Sequence, residues 1–313
     1  CIAKAVPALI PAPSGGTVVP TVLAEYDPSL GTRRVQVMQS LIGGTGARKD
    51  SDGVDGRDSS LANCFNTPTE SSEAEVGAII EYYGLRRNSG GPGKWRGGTG
   101  LIITIRIERA GSAVLGRGLE RHIFRPYGIQ GGLPGMPARV ILNYGKDNEI
   151  DLGKISMVEP KIGETVTLMS AGGGGFGDPY ERPPEKVLRD VLAGFVDVNT
   201  ALIEYGVVIY DSKINDSETK KIRENANRSP KDFEFGPERD AWERVFSDKR
   251  MNRLVSNLLK YPTTLGCKLR NEFMRKILPD LGKTKLTELL KEPSLLGRKF
   301  DKLMAKLEKD SSF

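Results

Sequence analysis

Histidine and cysteine are scarce in this sequence of 313 residues, which contains one histidine, His122, and three widely separated cysteines. A single histidine excludes a histidine-rich metal site built from this chain alone. His122 has no recognisable catalytic partners in the sequence and is interpreted as a structural or exposed residue. Because the cysteines form no CxxC pair, no disulfide framework is indicated, and we expect a reducing, cytoplasmic location.

Long apolar runs and nucleotide-binding motifs are also absent. No window approaches about 18 uninterrupted apolar residues, so we expect no membrane span. A phosphate-binding loop needs its glycine turn, lysine and hydroxyl together, and SGGPGKW, GSAVLGRG and ILPDLGKT each lack at least one of these. Neither a zinc-finger pattern nor the aromatic signature of an RNA-recognition sheet is present, so we expect no nucleic-acid partner.

Glycine and charge divide the chain into two regions. Of the 37 glycines, 33 precede residue 211. Residues 1–210 carry 22 Lys and Arg against 23 Asp and Glu, whereas residues 211–313 carry 24 against 17. We therefore expect an α+β protein with a glycine-rich, mainly β body and short helices over residues 1–212, and a basic α-helical extension over residues 213–313.

Short apolar runs rich in β-branched residues predict strands in the body. These runs are LIITIRIE (101–108), ARVILNY (138–144), ETVTLMS (164–170) and YGVVIY (205–210). Prolines at the start of PPEKVLRDVLAG and Gly194 at its end predict a short helix. Asp197 is placed to cap a second helix, which Gly206 ends.

The extension predicts amphipathic helices. Residues 239–260 carry an apolar stripe between charged faces. The stripe consists of Trp242, Val245, Phe246, Leu254, Val255, Leu258 and Leu259. Because LRNEFMRKIL (269–278) and GRKFDKLMAKLEK (297–309) repeat the pattern, we expect a small bundle that docks on the body or on a partner protein.

Two polar, glycine-rich segments are the candidate binding loops. Residues 43–75 have little periodic apolar content, which indicates a long ordered loop, and residues 88–100 place charges between glycines just before a predicted strand. The candidate active-site-facing residues are Arg48, Asp52, Asp55, Asn63, Glu70, Lys94 and Arg96. Alternatively, the Asp and Asn side chains bond to backbone groups in turns, and residues 88–100 are a strand connection. No nucleophile or general base can be assigned.

The densest glycine run lies in SAGGGGFGDPY (170–180). Its glycines are Gly172, Gly173, Gly174, Gly175 and Gly177. Glycine loses more backbone freedom on folding than any other residue, so such a run requires positive φ or very close backbone approach. We expect it to lie against a neighbouring loop or subunit near the active cavity, with Asp178 and Pro179 fixing the exit into the next helix. The alternative is turn packing without ligand contact.

Seven segments resemble the hydantoinase B family in order and in register. They are GGTGAR, DGVDG, NTPTESSE, NSGGPGKWRGGTG, GGLPGMPA, SAGGGGFGDPYERPPEKVLRDV and YGVVI. The resemblance runs from about residue 5 to residue 210, whereas residues 213–313 match no family element. The family includes the B-type halves of ATP-dependent hydantoinases and 5-oxoprolinases, the β component of caprolactamase, and the corresponding components of acetone and acetophenone carboxylases.

The resemblance implies a division of labour between subunits. An A-type subunit of the actin-like ATPase fold holds ATP and Mg and phosphorylates an amide, lactam or enolate oxygen, and the B-type subunit completes hydrolysis or carboxylation while shielding the intermediate from water. This implies an ATP-dependent cyclic-amide hydrolase, acting on a hydantoin, 5-oxoproline or similar small molecule as a hetero-oligomer and inactive as this chain alone. The alternatives are an acetone-carboxylase-like subunit and a non-catalytic scaffold whose basic extension docks a partner.

The family's metal motif is expected outside this chain. Family members carry an NDPxxGGxHxxD-like element in their N-terminal half, and His122 stands in a different context. We therefore assign no metal ligand to any residue of this chain. The resemblance implies a divalent metal on an N-terminal B-type fragment or chain, which is expected as a second partner.

Overall fold

The computed structural model describes residues 2–6, 9–16, 19–57, 65–116, 120–279 and 290–309. The chain divides into two units, Cys1–Gly236 and Pro237–Phe313. Residues 213–236, which the charge and glycine pattern predicts to be part of the extension, belong to the first unit. Two sets of contacts tie them to it: the Phe233–Glu234 strand pairs with Gly128–Ile129, and Arg223 donates to backbone carbonyls of Tyr205 and Arg182.

Two antiparallel sheets form the scaffold of the first unit. In spatial order, the strands of the first sheet are β2 (Thr32–Leu41), β1 (Val19–Asp27), β5 (Ala113–Gly116) and β9 (Met157–Val158). Those of the second sheet are β3 (Ala78–Leu85), β4 (Leu101–Ile107), β10 (Thr165–Met169), β7 (Arg139–Leu142) and β8 (Ile150–Asp151). The strands predicted within residues 101–108, 138–144 and 164–170 are confirmed, and with the helices they make this an α+β protein.

Strand β4 shows how the sequence builds the core. Its burial alternates along the strand, with Leu101, Ile103, Ile105 and Ile107 buried and the residues between them partly exposed. Successive side chains of a strand point to opposite faces, so the LIITIRI pattern places one apolar face inward. The other buried residues of this core are Leu23, Met38, Leu41, Ile42, Val76, Ala78, Val114, Val140, Val166 and Leu168. Helix α2 (Thr69–Glu75) is anchored beside β2 because Ser72 Oγ donates to the Met38 carbonyl at 2.8 Å.

Extended segments outside the two sheets pack around the glycine run, and we call this assembly the glycine bundle. Its segments are residues 11–16, 42–47, 53–56, 89–100, 128–136 and 170–177. Hydrogen bonds from the central segment to one neighbour recur every three residues. The N–H groups of Ser170, Gly173 and Phe176 donate to the carbonyls of Leu101, Gly98 and Trp95 at 2.9, 2.8 and 3.0 Å.

The same three-residue repeat governs the other neighbours of the central segment. Gly172 and Gly175 donate to Met136 and Leu133 at 3.2 and 3.0 Å, and the Ala171 and Gly174 carbonyls accept from Gly44 and Ala47 at 3.2 and 3.0 Å. Three residues per turn is the period of the polyproline II helix, which forms no internal hydrogen bonds. Successive peptide groups of the run therefore face different neighbouring segments, and those neighbours satisfy them.

Close approach, rather than positive φ, explains the four consecutive glycines. Residues 172–175 have no φ in the left-handed region, whereas Gly177 has a φ of +76°. A Cβ atom at Gly173 would lie 1.9 Å from the Thr45 carbonyl oxygen, and one at Gly172 would lie 1.9 Å from that of Ser89. The backbone of the run therefore lies against loops of this chain at distances that exclude any side chain.

Two capped helices follow the glycine run. After a 3₁₀ turn at Pro179–Glu181 come α3 (Pro184–Leu192) and α4 (Val198–Tyr205). Asp197 caps α4 as predicted, since its carboxylate accepts from Thr200 N at 2.7 Å, and Gly206 ends the helix with a φ of +62°. The predicted strand at residues 205–210 is shorter than expected, because α4 continues to Tyr205.

The remaining elements of the first unit are short. They are α1 (Ile2–Ala5), β6 (Gly128–Ile129), β11 (Ile209–Tyr210), β12 (Lys213–Ile214), α5 (Asp216–Glu224) and β13 (Phe233–Glu234). Strands β11 and β12 form one two-stranded sheet, and β6 and β13 form another. A second, smaller hydrophobic core packs α3 and α4 against strands β11 and β12, and Val187, Ala201 and Val207 are fully buried in it.

The second unit is helical. Its helices are α6 (Pro237–Val245), α7 (Asp248–Leu258), α8 (Thr263–Ile277) and α9 (Pro293–Lys309). Phe300 is fully buried between Phe246 and Phe273, with ring centroids 6.0 and 4.9 Å away. The prediction that Val255 and Leu259 belong to the packed apolar stripe is wrong, because these side chains are 45% and 79% exposed. No helix in the described ranges is long and apolar enough to cross a membrane.

Candidate functional site

Three predicted site residues, Asp52, Asp55 and Arg96, meet at the glycine bundle. The backbone N–H of Arg96 donates to Asp52 Oδ1 at 2.7 Å, and that of Thr99 donates to Asp55 Oδ1 at 2.7 Å. The Arg96 guanidinium binds Asp55 through Nη1 at 2.8 Å and Nη2 at 3.2 Å. The two predicted binding loops are thus joined by charged side chains as well as by backbone hydrogen bonds.

Arg182 and Asp190 complete this group, and the sequence pattern does not predict them as site residues. The side chain of Arg182 is 0% exposed and binds both oxygens of Asp52, at 2.7 and 2.9 Å. It also donates through Nε and Nη2 to Asp190 Oδ2, at 3.1 and 2.8 Å. Asp190 Oδ2 lies 3.7 Å from Arg96 Nε, which closes the set. We call Asp52, Asp55, Arg96, Arg182 and Asp190 the Asp–Arg cluster.

Local structure explains why the sequence pattern does not indicate Arg182 and Asp190 as site residues. Arg182 precedes α3, and Asp190 lies on the buried face of that helix together with Val187. In the sequence ERPPEKVLRD, Asp190 fits a polar position of an ordinary amphipathic helix and Arg182 comes just before that helix, so both charges indicate a solvated surface. Arg182 and Asp190 are eight residues apart, on either side of the start of α3. That spacing is not a recognised motif, so it does not predict a contact between them.

Two aromatic side chains lie beside the cluster. The Phe195 ring centroid lies 4.8 Å from Arg96 Cζ. Tyr205 is 1% exposed, and its hydroxyl has no hydrogen-bond partner among the described residues. Burial raises the pKa of Tyr205, so the phenol is neutral at physiological pH. The low-polarity surroundings strengthen the attraction between the charges.

The pKa directions follow from burial and charge balance. Burial acts to raise the pKa of Asp52, but the bonds from Arg182 and from the Arg96 backbone outweigh it, and the pKa lies below its usual value. Burial raises the pKa of Asp190, the negative charge of Asp52 acts in the same direction, and the attraction of Arg182 and Arg96 does not offset them fully. Burial also opposes ionisation of Arg96 and Arg182, yet their carboxylate partners raise both pKa values.

The charged groups of the cluster are bonded mainly to one another, while Asp52 and Asp55 stay 27% and 20% exposed. Each guanidinium is bound by carboxylates of the same cluster, and Arg182 also donates to the Lys94 carbonyl at 3.0 Å. Among the described residues, no group of three or more His, Cys, Asp or Glu side chains could hold a metal ion. The residues present therefore do not fit the divalent metal that the family resemblance implies. What the cluster can do chemically is to hold residues 51–57 and 88–100 against α3.

The other predicted residues lie apart from the cluster. Arg48 and Glu70 are exposed, the latter in the first turn of α2. Lys94 is exposed and pairs with Glu181 at 3.0 Å. Asn63 lies outside the described residues.

Comparison with known proteins places the chain in a family. Residues 1–179 match the Hydantoinase B/oxoprolinase family, so the chain belongs to that family. A Pseudomonas sp. (strain NS671) protein, named as the B component of a D-/L-hydantoinase, is 36% identical over 189 residues, covering 59% of this chain and 32% of the relative. The beta component of the caprolactamase of Pseudomonas jessenii is 32% identical over 179 residues, covering 55% of this chain and 31% of the relative. The chain thus spans about a third of the length of these relatives.

Two solved structures share the fold. The ATP-dependent caprolactamase from Pseudomonas jessenii matches with a TM-score of 0.57 and 27% identity, over 71% of this chain and 40% of that chain. The nucleotide-free structure of acetone carboxylase matches with a TM-score of 0.55 and 16% identity, over 96% of this chain and 41% of that chain. At that identity the second match is a likeness of fold alone.

Proposed function

We propose that this chain is the C-terminal part of the B-type subunit of an ATP-dependent cyclic-amide hydrolase of the hydantoinase or 5-oxoprolinase type. The observation that carries the proposal is the extent of the family match. Residues 1–179 include both sheets and the whole glycine bundle, so the family's sequence pattern and this architecture coincide. Relatives with this pattern are named as the B component of a hydantoinase, the beta component of caprolactamase and 5-oxoprolinase.

The proposal distributes the chemistry over several polypeptides in a cytoplasmic hetero-oligomer. ATP and Mg lie on an A-type subunit, and a divalent metal is held by polypeptide equivalent to the part of the relatives that this chain does not cover. The coverage of about a third of the relatives supports this division. This chain forms one side of the shared site, and it turns over no substrate by itself.

Within this proposal, the Asp–Arg cluster holds the two candidate loops in position. Arg96 and Arg182 are both buried and bound to carboxylates, so they fix the backbone of residues 51–57 and 88–100 and do not contact the substrate. The exposed side chains of Arg48, Glu70 and Lys94 stay candidates for contact with a substrate or a partner protein. The glycine run supports the same loops from the opposite segment of the bundle, at residues 170–177.

A second candidate is a subunit of an acetone-carboxylase-like, ATP-dependent carboxylase. The observation that favours it is a likeness of fold over 96% of this chain, against 71% for the caprolactamase structure. Both candidates require an ATP-binding partner, and they differ in the substrate that triggers ATP hydrolysis.

The test is reconstitution of the complete complex. The chain is co-expressed with an A-type ATPase and the remaining B-type polypeptide, and ADP release is measured with hydantoin, 5-oxoproline or caprolactam, then with acetone and bicarbonate. We expect ADP release that depends on a cyclic amide and is lost when this chain is omitted. ADP release that requires acetone and bicarbonate would support the carboxylase instead. Activity that is unchanged without the chain would contradict both enzymes and favour a scaffold.

A further inference from the structure

Strand β2 has an open edge along its first half. It is an outermost strand of the first sheet, and within the described part of the chain it pairs with β1 alone. From Thr32 to Val37 five of the six residues are exposed, whereas Met38 and Gln39 are buried. The outward N–H and C=O groups of an edge strand are free to pair with a strand of another polypeptide.

The second half of β2 is already covered by this chain. Ser72 Oγ on α2 donates to the Met38 carbonyl at 2.8 Å, and Thr67 N donates to Gln39 Oε1 at 3.2 Å. These contacts place α2 and the residues before it beside the second half of the strand. They leave the stretch from Thr32 to Val37 as the open part of the edge.

The exposed valines of this stretch show what it lacks. Val35 and Val37 are 55% and 52% exposed. Their partners on β1, Ala24 and Val22, lie on the same face and are 3% and 4% exposed. Strand β1 lies between β2 and β5, whereas β2 has a neighbour on one side. A further strand beside β2 would place its own side chains against the two valines.

Two arginines give the open stretch positive charge. Arg33 lies on the same face as the valines and pairs with Glu159, while Arg34 lies on the opposite face, 4.0 Å from Glu75. Their side chains stay 38% and 53% exposed. Like charges directly opposite each other destabilise a strand pair. A strand that fits here therefore carries apolar residues opposite the valines and acidic or neutral residues opposite Arg34.

The comparisons indicate which polypeptide would supply this strand. The first sheet lies within the family-matching residues 1–179, so it belongs to the part that this chain has in common with its relatives. The match covers 32% and 31% of two relatives, which leaves about two thirds of each outside it. In those relatives the remainder is part of the same polypeptide as the matching region. A polypeptide equivalent to that remainder is therefore a partner that accompanies this sheet throughout the family.

From these observations we infer that a strand of the remaining B-type polypeptide pairs with Thr32–Val37 and extends the first sheet beyond β2. Its backbone hydrogen-bonds to the open edge, and its apolar side chains pack against Val35 and Val37. The inference rests on the proposed function for the identity of the partner, and it adds the place where that partner binds.

The test is amide hydrogen exchange in the complete complex, compared with this chain alone. Alternate residues of an antiparallel edge strand point their N–H groups outward, so about half of the amides in Thr32–Val37 exchange rapidly in the chain alone. We expect these amides to become slow in the complex. Rapid exchange in a complex that releases ADP with a cyclic amide would overturn the inference and leave the proposed function standing. Slow exchange in a complex that releases no ADP would support the inference and contradict the hydrolase. Slow exchange that develops in the chain alone as its concentration rises would identify a second copy as the partner and overturn the inference.

Two valine variants test the position of the added strand. Val35→Lys should raise the Kd of this chain for the rest of the complex at least about tenfold, because a lysine on an edge strand opposes pairing with another strand. The control is Val255→Lys on α7, where the valine is 45% exposed, and it should leave the Kd unchanged. Equal Kd values for the two variants would overturn the site. Should Val35→Lys fail to fold, the exchange measurement on the unsubstituted chain decides the matter alone.

Discussion

Substitution of Gly173 by alanine tests the glycine bundle most directly. The added methyl carbon would lie 1.9 Å from the Thr45 carbonyl oxygen, 2.4 Å from the Thr45 carbonyl carbon and 2.7 Å from Gly46 N. Carbon atoms in contact are normally about 3.5–4.0 Å apart, so two segments must separate by more than an ångström. The obstructing atoms are backbone and cannot rotate away.

The energetic consequence follows from what this separation breaks. Overpacking a filled core costs about 1–3 kcal/mol. The Gly98 N–H donates to the Thr45 carbonyl at 2.8 Å and the Gly173 N–H to the Gly98 carbonyl at 2.8 Å, and each lost bond adds about 1 kcal/mol. We therefore expect Gly173→Ala to lower the free energy of unfolding by about 3–5 kcal/mol, a large part of the total of about 5–15 kcal/mol for a typical domain.

Urea denaturation followed by tryptophan fluorescence provides the assay. Trp95 belongs to the glycine bundle and Trp242 to the second unit, so a Trp242→Phe background makes the signal specific for the first unit. The matched control is Gly145→Ala, where a Cβ atom would meet nothing within 4 Å and only the φ of +74° is unfavourable. That control should cost about 1–2 kcal/mol. If Gly173→Ala were no more destabilising than Gly145→Ala, close packing would not be the reason for the glycine run.

Three further predictions concern charged groups. Arg182→Met should lower the free energy of unfolding by about 3–5 kcal/mol, because Asp52 and Asp190 lose their main partner. The control is Lys94→Gln, which breaks only the exposed pair with Glu181. In the same urea assay, Lys94→Gln should change the free energy of unfolding by less than about 1 kcal/mol. The NMR titration of His122 should have its midpoint near pH 4 rather than 6.5. Because the pKa of His122 is lower in the folded chain, the unfolded chain binds the proton more tightly. Up to about 3 kcal/mol of stability is therefore present above pH 6.5 and is lost as the pH falls toward 4. A midpoint near pH 6.5, or the same pH dependence of stability in His122→Gln, would contradict this prediction. In the second unit, the hydrogen bond from Arg250 lowers the pKa of Asp301. The ion pair therefore stabilises the unit above pH 3.8, the ordinary pKa of an aspartate, and this stabilisation is lost as the pH falls below that value. Trp242 fluorescence should show this loss in the parent chain and not in Asp301→Asn.

The candidate site illustrates the limit of sequence reasoning. The sequence predicts Asp52, Asp55 and Arg96 as site residues because they are charged residues among glycines, and the structure brings them together. It also shows that they are bonded to one another, with Arg96 buried and the two carboxylates partly exposed, which the sequence pattern could not indicate. Arg182 binds Asp52 across a separation of 130 residues, and no local spacing signals a contact of that kind.

Local physics already determined much of this protein. The alternation of apolar residues in LIITIRI set the buried face of β4, Asp197 and Gly206 set the ends of α4, and the shift in glycine and charge content separated a glycine-rich region from a helical one. Each of these depends on neighbours a few residues apart along the chain. Only the tertiary structure decided that the hydrogen bonds of the glycine run to its neighbours repeat every three residues, and that five charged residues form one cluster. Both require backbone and side chains from distant parts of the chain to meet within hydrogen-bonding distance, and that distance is fixed by the packing of the whole unit.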